Sequence, residues 1–198
     1  MIQIRRDLLL WGWALGLALT LAVPGQAQDP DRIRSRIAAA AETQVGVTLL
    51  YDPAYVRLAY PGGDVPLERG VCADVVVRAF RQIGVDLQVE VHEDMKKSFS
   101  AYPRNWGLRG PDSNIDHRRV PNLMKFFERK GKRVSMDGPY HPGDIVAWRL
   151  PGGYHHIGIV AAERVRGAGR PLIVHNIGAG TRKEDILYSY TIIGHYRW

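Results

Sequence analysis

Gly70-Val71-Cys72-Ala73-Asp74-Val75-Val76-Val77-Arg78-Ala79-Phe80-Arg81-Gln82-Ile83-Gly84 is the stretch on which the fold turns. Apolar residues at 72, 76, 79, 80 and 83 share one face at helical spacing, and Gly84 stands where a glycine stops a helix. A helix with an apolar face has to bury it against another element. The second half of the chain supplies that element. From Pro142 onward, residues 144–150, 156–162, 172–176 and 189–197 read as short strands separated by Gly-rich turns.

Working outward from this pair, residues 31–45 read as an Ala-rich amphipathic helix stopped by Gly46, and 48–51 as a short apolar stretch. Tyr60 to Pro66 is a loop, 93–101 a third helix, and 102–121 a long loop rich in Pro, Gly, Asn and Asp. Pro121 opens a last helix, with Leu123, Phe126 and Phe127 on one side and Gly131 at its end. Helices first and strands afterwards predict an α+β domain with helices packed on an antiparallel sheet. No linker divides residues 28–198, which are expected to form a single domain and a monomer.

The N-terminus has the layout of an export signal. Arg5 and Arg6 precede the apolar run Leu8 to Val23, and Gly25-Gln26-Ala27 brings small residues to a cleavage point after Ala27. The run falls short of the roughly twenty residues of a bilayer span, so an uncleaved anchor is the alternative. Residues 1–27 are thus expected to be a signal peptide and the rest periplasmic. The formal net charge is +7, which suits an acidic partner. Export argues against nucleic acid and leaves anionic lipid surfaces or peptidoglycan carboxylates. The charges are scattered, as on any solubilising surface.

Cys72 is the only cysteine, so no internal disulfide can form. A lone thiol in an oxidising compartment is either buried and inert or kept for its reactivity. In the first turn of a helix, unpaired N–H groups and the positive end of the dipole favour a thiolate and a developing oxyanion. A thiol nucleophile needs a base. His155 and His156 are adjacent on a strand and so point to opposite faces. His156 shares its face with Gly158, which leaves room for an approaching group, and His175 or Asn176 on the next strand can stand beside it. A zinc reading of His155, His156, His175 and Asp144 suffers from the same alternation, so neither metal nor cofactor is expected. Asp74 is either a site residue or an acid favourable in a first helical turn. Asp116-His117-Arg118-Arg119 offers either a carboxylate-binding Arg or a helix cap, and Trp106, Trp148 and Trp198 either line a groove or fill the core.

In order along the chain, Tyr60…Gly62-Gly63…Cys72, Pro142-Gly143-Asp144-Ile145-Val146, His156-Ile157-Gly158-Ile159-Val160 and Ile173-Val174-His175 resemble the NlpC-type cell-wall peptidases of the papain-like cysteine peptidase superfamily. More closely, the motifs at 70–76, 91–95, 114–123 and 174–178 are similar to an exported bacterial family of unknown function. The first resemblance implies a papain-like fold with Cys72 as nucleophile and His156 as base. It implies that His175 orients the imidazole, with Asn176 as the other candidate, and that Tyr60 assists an oxyanion hole. Around the nucleophile this chain has Val71-Cys72-Ala73-Asp74 where those enzymes have Asp-Cys-Ser-Gly. The implied activity is a periplasmic amidase or peptidase acting on peptidoglycan stem peptides. An acyl or amide transferase with the same dyad, and a non-catalytic envelope-binding module, are the competing expectations.

Overall fold

The protein is described by a computed structural model over residues 29–198. The expected signal segment, residues 1–27, lies outside the described residues. Helix α1 spans Pro30–Glu42; the Asp29 carboxylate accepts from the Asp31 N–H at 3.0 Å and Pro30 stands in its first turn. Two short strands, β1 (Leu50–Tyr51) and β2 (Arg69–Gly70), pair in parallel and lead into α2 (Cys72–Arg81). Helices α3 (Leu87–Ser98) and α4 (Val120–Arg129) complete the first half. Strands β3 (Ile145–Arg149), β4 (His155–Arg164), β5 (Pro171–Asn176), β6 (Thr181–Glu184) and β7 (Thr191–Tyr196) form an antiparallel sheet of order β6-β5-β4-β3-β7.

The expected α+β architecture is present, with two differences of detail. Helix α3 begins at Leu87 rather than residue 93, because the Asp86 carboxylate caps it through the Gln88 N–H at 3.0 Å. Strand β6, Thr181-Arg182-Lys183-Glu184, was not among the expected strands.

Strand alternation divides the core into two layers. Ile145, Ala147, Ile157, Ile159, Val174 and Tyr196 face the helices, where they meet Val76, Phe80, Leu123 and Phe127. Val146, Trp148, Val160 and Ile173 face the other way, under a cover supplied by Tyr140 and Leu187. Both faces of the central strands are therefore apolar and buried.

Helix α2 is enclosed more completely than one apolar face requires. Val75 and Val77 are buried along with Val76 and Phe80, and so is Arg78. The Arg78 guanidinium donates to Asp64 at 2.9 and 3.1 Å, to Thr48 Oγ1 at 2.9 Å and to the carbonyls of Val65 and Arg69. A charge removed from water requires such partners. They tie the loop before β2 to the side of the helix and so fix where α2 begins.

Candidate functional site

Cys72 opens α2 at the floor of a cleft of about 520 Å³, whose walls include Tyr51, Tyr55, Trp106, Arg119 and His155. Three devices hold the start of the helix. The Asp74 carboxylate accepts from the Val71 N–H at 2.6 Å. It also accepts from Arg118 Nε at 2.9 Å and Nη2 at 3.0 Å. Arg118 in turn donates to the carbonyls of Ala54 and Asp52, fastening the segment that carries β1 onward over the cleft. Asn176, at the end of β5, donates to the Gly70 carbonyl at 3.0 Å. Asp74 and Asn176 thus position the helix start, and neither is hydrogen-bonded to a histidine. A β-carbon at residue 70 would lie 3.0 Å from Asp74 Oδ2, so glycine there lets the carboxylate close over the turn.

Backbone N–H groups of Ile157, Ala73 and Cys72 point at the Cys72 sulfur. Ile157 can spare its donor because of the register. The Val160 N–H bonds to Asp144 on the β3 side, so the N–H of Ile157, an odd number of residues away, points toward β5. Pairing with β5 starts only at Ile159–Val174, so no residue of β5 is in register with Ile157. The Cys72 sulfur takes that donor. Burial, helped by the Asp74 charge, pushes the thiol up to about 12 against the pull of these donors. The resting sulfur is a neutral thiol, not the thiolate that a helix N-terminus alone suggests.

The histidines divide between the faces of β4. His155 lines the cleft with Cys72. Burial, and then the charge of Arg149, lower its pKa. His156 points to the opposite face, paired with Trp148 of β3 and lying beside the indole at 5.8 Å between ring centres. The sequence expectation that His156 hydrogen-bonds Cys72 is corrected here: no such bond is present among the described residues, because alternation carries the ring through the sheet. His156 is instead bonded to His175, Nε2 to Nδ1 at 3.0 Å, and His175 Nε2 meets Glu184 Oε2 at 3.0 Å. Burial, and the charge of His175, push His156 down to about 3. Burial also lowers His175, although Glu184 opposes it. The room left by Gly158 is filled by β5: a β-carbon there would lie 2.8 Å from Ile173 Cγ2 and 3.1 Å from His175 Cβ.

Tyr60 lies away from the cleft, its hydroxyl on Glu93 Oε1 at 3.1 Å and its ring edge-on to His92. Tyr51 is the phenol in the cleft wall, and burial, with the charges of Cys72 and Asp74, pushes its pKa up to about 12. Asp144 serves the second face, where it binds His195 Nε2 at 2.8 Å and Arg197 at 2.7 and 2.9 Å. Burial works against its charge, but these bonds win and hold the carboxyl below its usual range. Among the described residues, no three His, Cys, Asp or Glu side chains gather as a metal site, and no helix is long and apolar enough to cross a membrane. Glu184 could not be singled out from sequence, since nothing marks one acid of a short polar strand. Tyr51 was hidden in an unremarkable apolar stretch.

The sequence profile described as "Domain of unknown function (DUF1287)" matches residues 38–198. The chain belongs to that family. A relative, the uncharacterized protein YijF of Escherichia coli (strain K12), is 58% identical over 165 residues, covering 82% of this chain and 80% of that protein. In this DUF1287 chain the matched region contains the cleft, the thiol and the hydrogen-bonded chain His156–His175–Glu184 together.

Proposed function

We propose that this DUF1287 protein is an exported cysteine amidase or peptidase of papain-like fold, acting on peptidoglycan stem peptides. The observation that carries the reading is the hydrogen-bonded chain His156–His175–Glu184, whose first member is next in sequence to Ile157, the residue whose N–H bonds the Cys72 sulfur. A nucleophile, a base and a group orienting the base are the parts that acyl transfer by a thiol requires. The His-Ile-Gly-Ile-Val and Val-His segments that build the relay are also those that resemble the NlpC-type enzymes. The basic, apolar, small-residue order of residues 5–27 supports export to the periplasm.

In this mechanism the base is the free Nδ1 of His156, one residue from the Ile157 N–H that meets the sulfur. The imidazole takes the proton as sulfur forms a bond to the amide carbon, while His175 and Glu184 hold the ring. The Cys72 N–H and the Tyr51 hydroxyl face the developing oxyanion. The C–N bond then breaks, the leaving amine takes the proton from His156, and water hydrolyses the thioester to acid and thiol. His155 is the second reading for the base, favoured by its place in the cleft wall.

Defined peptidoglycan fragments incubated with purified protein and followed by mass spectrometry test the proposal. Cleavage of a stem-peptide amide is expected, with Cys72→Ala and Cys72→Ser inactive and folded. Turnover retained in either variant, or none by the parent protein on any stem-peptide amide, sinks it.

A further inference from the structure

We infer that the cleft beside Cys72 contains a carboxylate-binding subsite built from Arg119 laid on the Trp106 ring, so its ligand carries a free carboxylate close to the reacting group. Two arginines line the cleft, and no acidic side chain does. Their positions differ by one residue and their states differ completely. Arg118 is spent: both Nε and Nη2 go to Asp74 and the rest of its fork goes to backbone carbonyls. Arg119 is not. Its carbon Cζ lies over the Trp106 ring, 4.2 Å from the ring centre, which holds the guanidinium at the cleft. Its one hydrogen bond among the described residues is a long one, Nη1 to Asp116 Oδ1 at 3.4 Å.

Asp116 is a poor counter-ion for it. That carboxylate is itself buried, takes the Asp112 N–H at 2.5 Å, and burial pushes its pKa up. An arginine has five N–H donors in a fixed fork matched to a carboxylate. Most of that fork is unengaged in Arg119, the group is held over the Trp106 ring, and it lines a cleft with two arginines and no acidic side chain. An anion of bidentate geometry completes it. A neutral peptide does not.

The subsite rests on the hydrolase reading only in calling its ligand a substrate. The test measures binding to Cys72→Ala protein by calorimetry, with a stem tripeptide carrying free carboxylates and the same tripeptide with them converted to carboxamides. The carboxylate form is expected to bind at least about tenfold more tightly, as a lost charge-assisted pair requires. In Cys72→Ala/Arg119→Gln the preference is expected to fall to near one, and Arg119→Lys to restore only part of it, since an ammonium lacks the planar fork. Equal binding of the two peptides by Cys72→Ala protein overturns the subsite, as does a preference that survives Arg119→Gln. A carboxylate preference without turnover in the parent protein sinks the hydrolase reading and leaves the subsite standing. Turnover with equal binding does the reverse.

Discussion

The two faces of β4 carry the same kind of residue in opposite circumstances. On the helix face, His155 looks into an open cleft with a thiol at its floor and makes no side-chain hydrogen bond among the described residues. On the far face, His156 is sealed beside Trp148 and held by His175 and Glu184. Access and orientation have been allotted to different sides of one strand. The difference teaches that a base is defined by what holds it as much as by what it can reach. His155 has a route to the cleft and nothing to fix its tautomer; His156 has a fixed ring and no hydrogen bond to the sulfur among the described residues.

The largest expected effect comes from exchanging these two histidines one at a time. His156→Gln is expected to lower kcat/KM by about 10²–10⁴, the contribution of a positioned acid–base group. His155→Gln should change it by less than about tenfold, acting on KM because the ring only lines the cleft. Near-ultraviolet circular dichroism and melting curves establish that each variant is folded, and His175→Gln provides a second reading of the relay. Loss of turnover in His155→Gln with full activity in His156→Gln would falsify the relay and hand the proton to the cleft face.

Why the sequence could not settle this choice follows from the sheet itself. A half-exposed strand announces its phase by alternating polar and apolar residues. Here Ile157 and Ile159 on one face and Val160 on the other are all fully buried, so nothing in the strand says which side meets α2. The alternation rule separated His155 from His156, and motif likeness paired Cys72 with His156 although the cleft wall carries His155. The α2 face, the α1 and α4 helices and four of the five sheet strands were legible because periodicity and glycine stops agree with the tertiary burial. Strand β6 was not, because Arg, Lys and Glu are poor strand formers and an edge strand needs no apolar signal. The split between Arg118 and Arg119 was also invisible: adjacent arginines look alike until Asp74 takes one of them.

A smaller effect separates the faces by acid. Folded His156 is held down to about 3, against an ordinary value of 6.5. Between those limits the unfolded chain binds the additional proton, so stability is complete above pH 6.5 and is lost as pH falls toward 3. The loss from this one group is on the order of 4 kcal/mol. Denaturant titrations from pH 7 to pH 4 are expected to show a steep fall in the parent protein and a shallower one in His156→Gln. Part of the slope remains, because burial also lowers His117, on the helix side, to about 4. Identical slopes would mean that the far face is open to water, and the contrast between a sealed and an open face would fail.

The gentlest way to disturb the relay without deleting a member is through Gly158. A methyl group there meets Ile173 Cγ2 at 2.8 Å, the Val174 carbonyl at 3.0 Å and His175 Cβ at 3.1 Å. Overpacking of this kind costs about 1–3 kcal/mol, and relief requires β5 to move away from β4. That movement lengthens the His156–His175 bond while leaving Tyr51 and Arg119, which are on other elements, in place. Gly158→Ala is therefore expected to melt earlier and to lose kcat at unchanged KM, with the loss growing as pH falls, because parting the strands relieves the burial that holds His156 down and lets the base be protonated. If the variant melts earlier yet turns over at the parental rate, separation of the two strands does not matter to the chemistry. The relay would then be a structural device for packing two histidines into an apolar layer, and the far face of β4 would have no part in function.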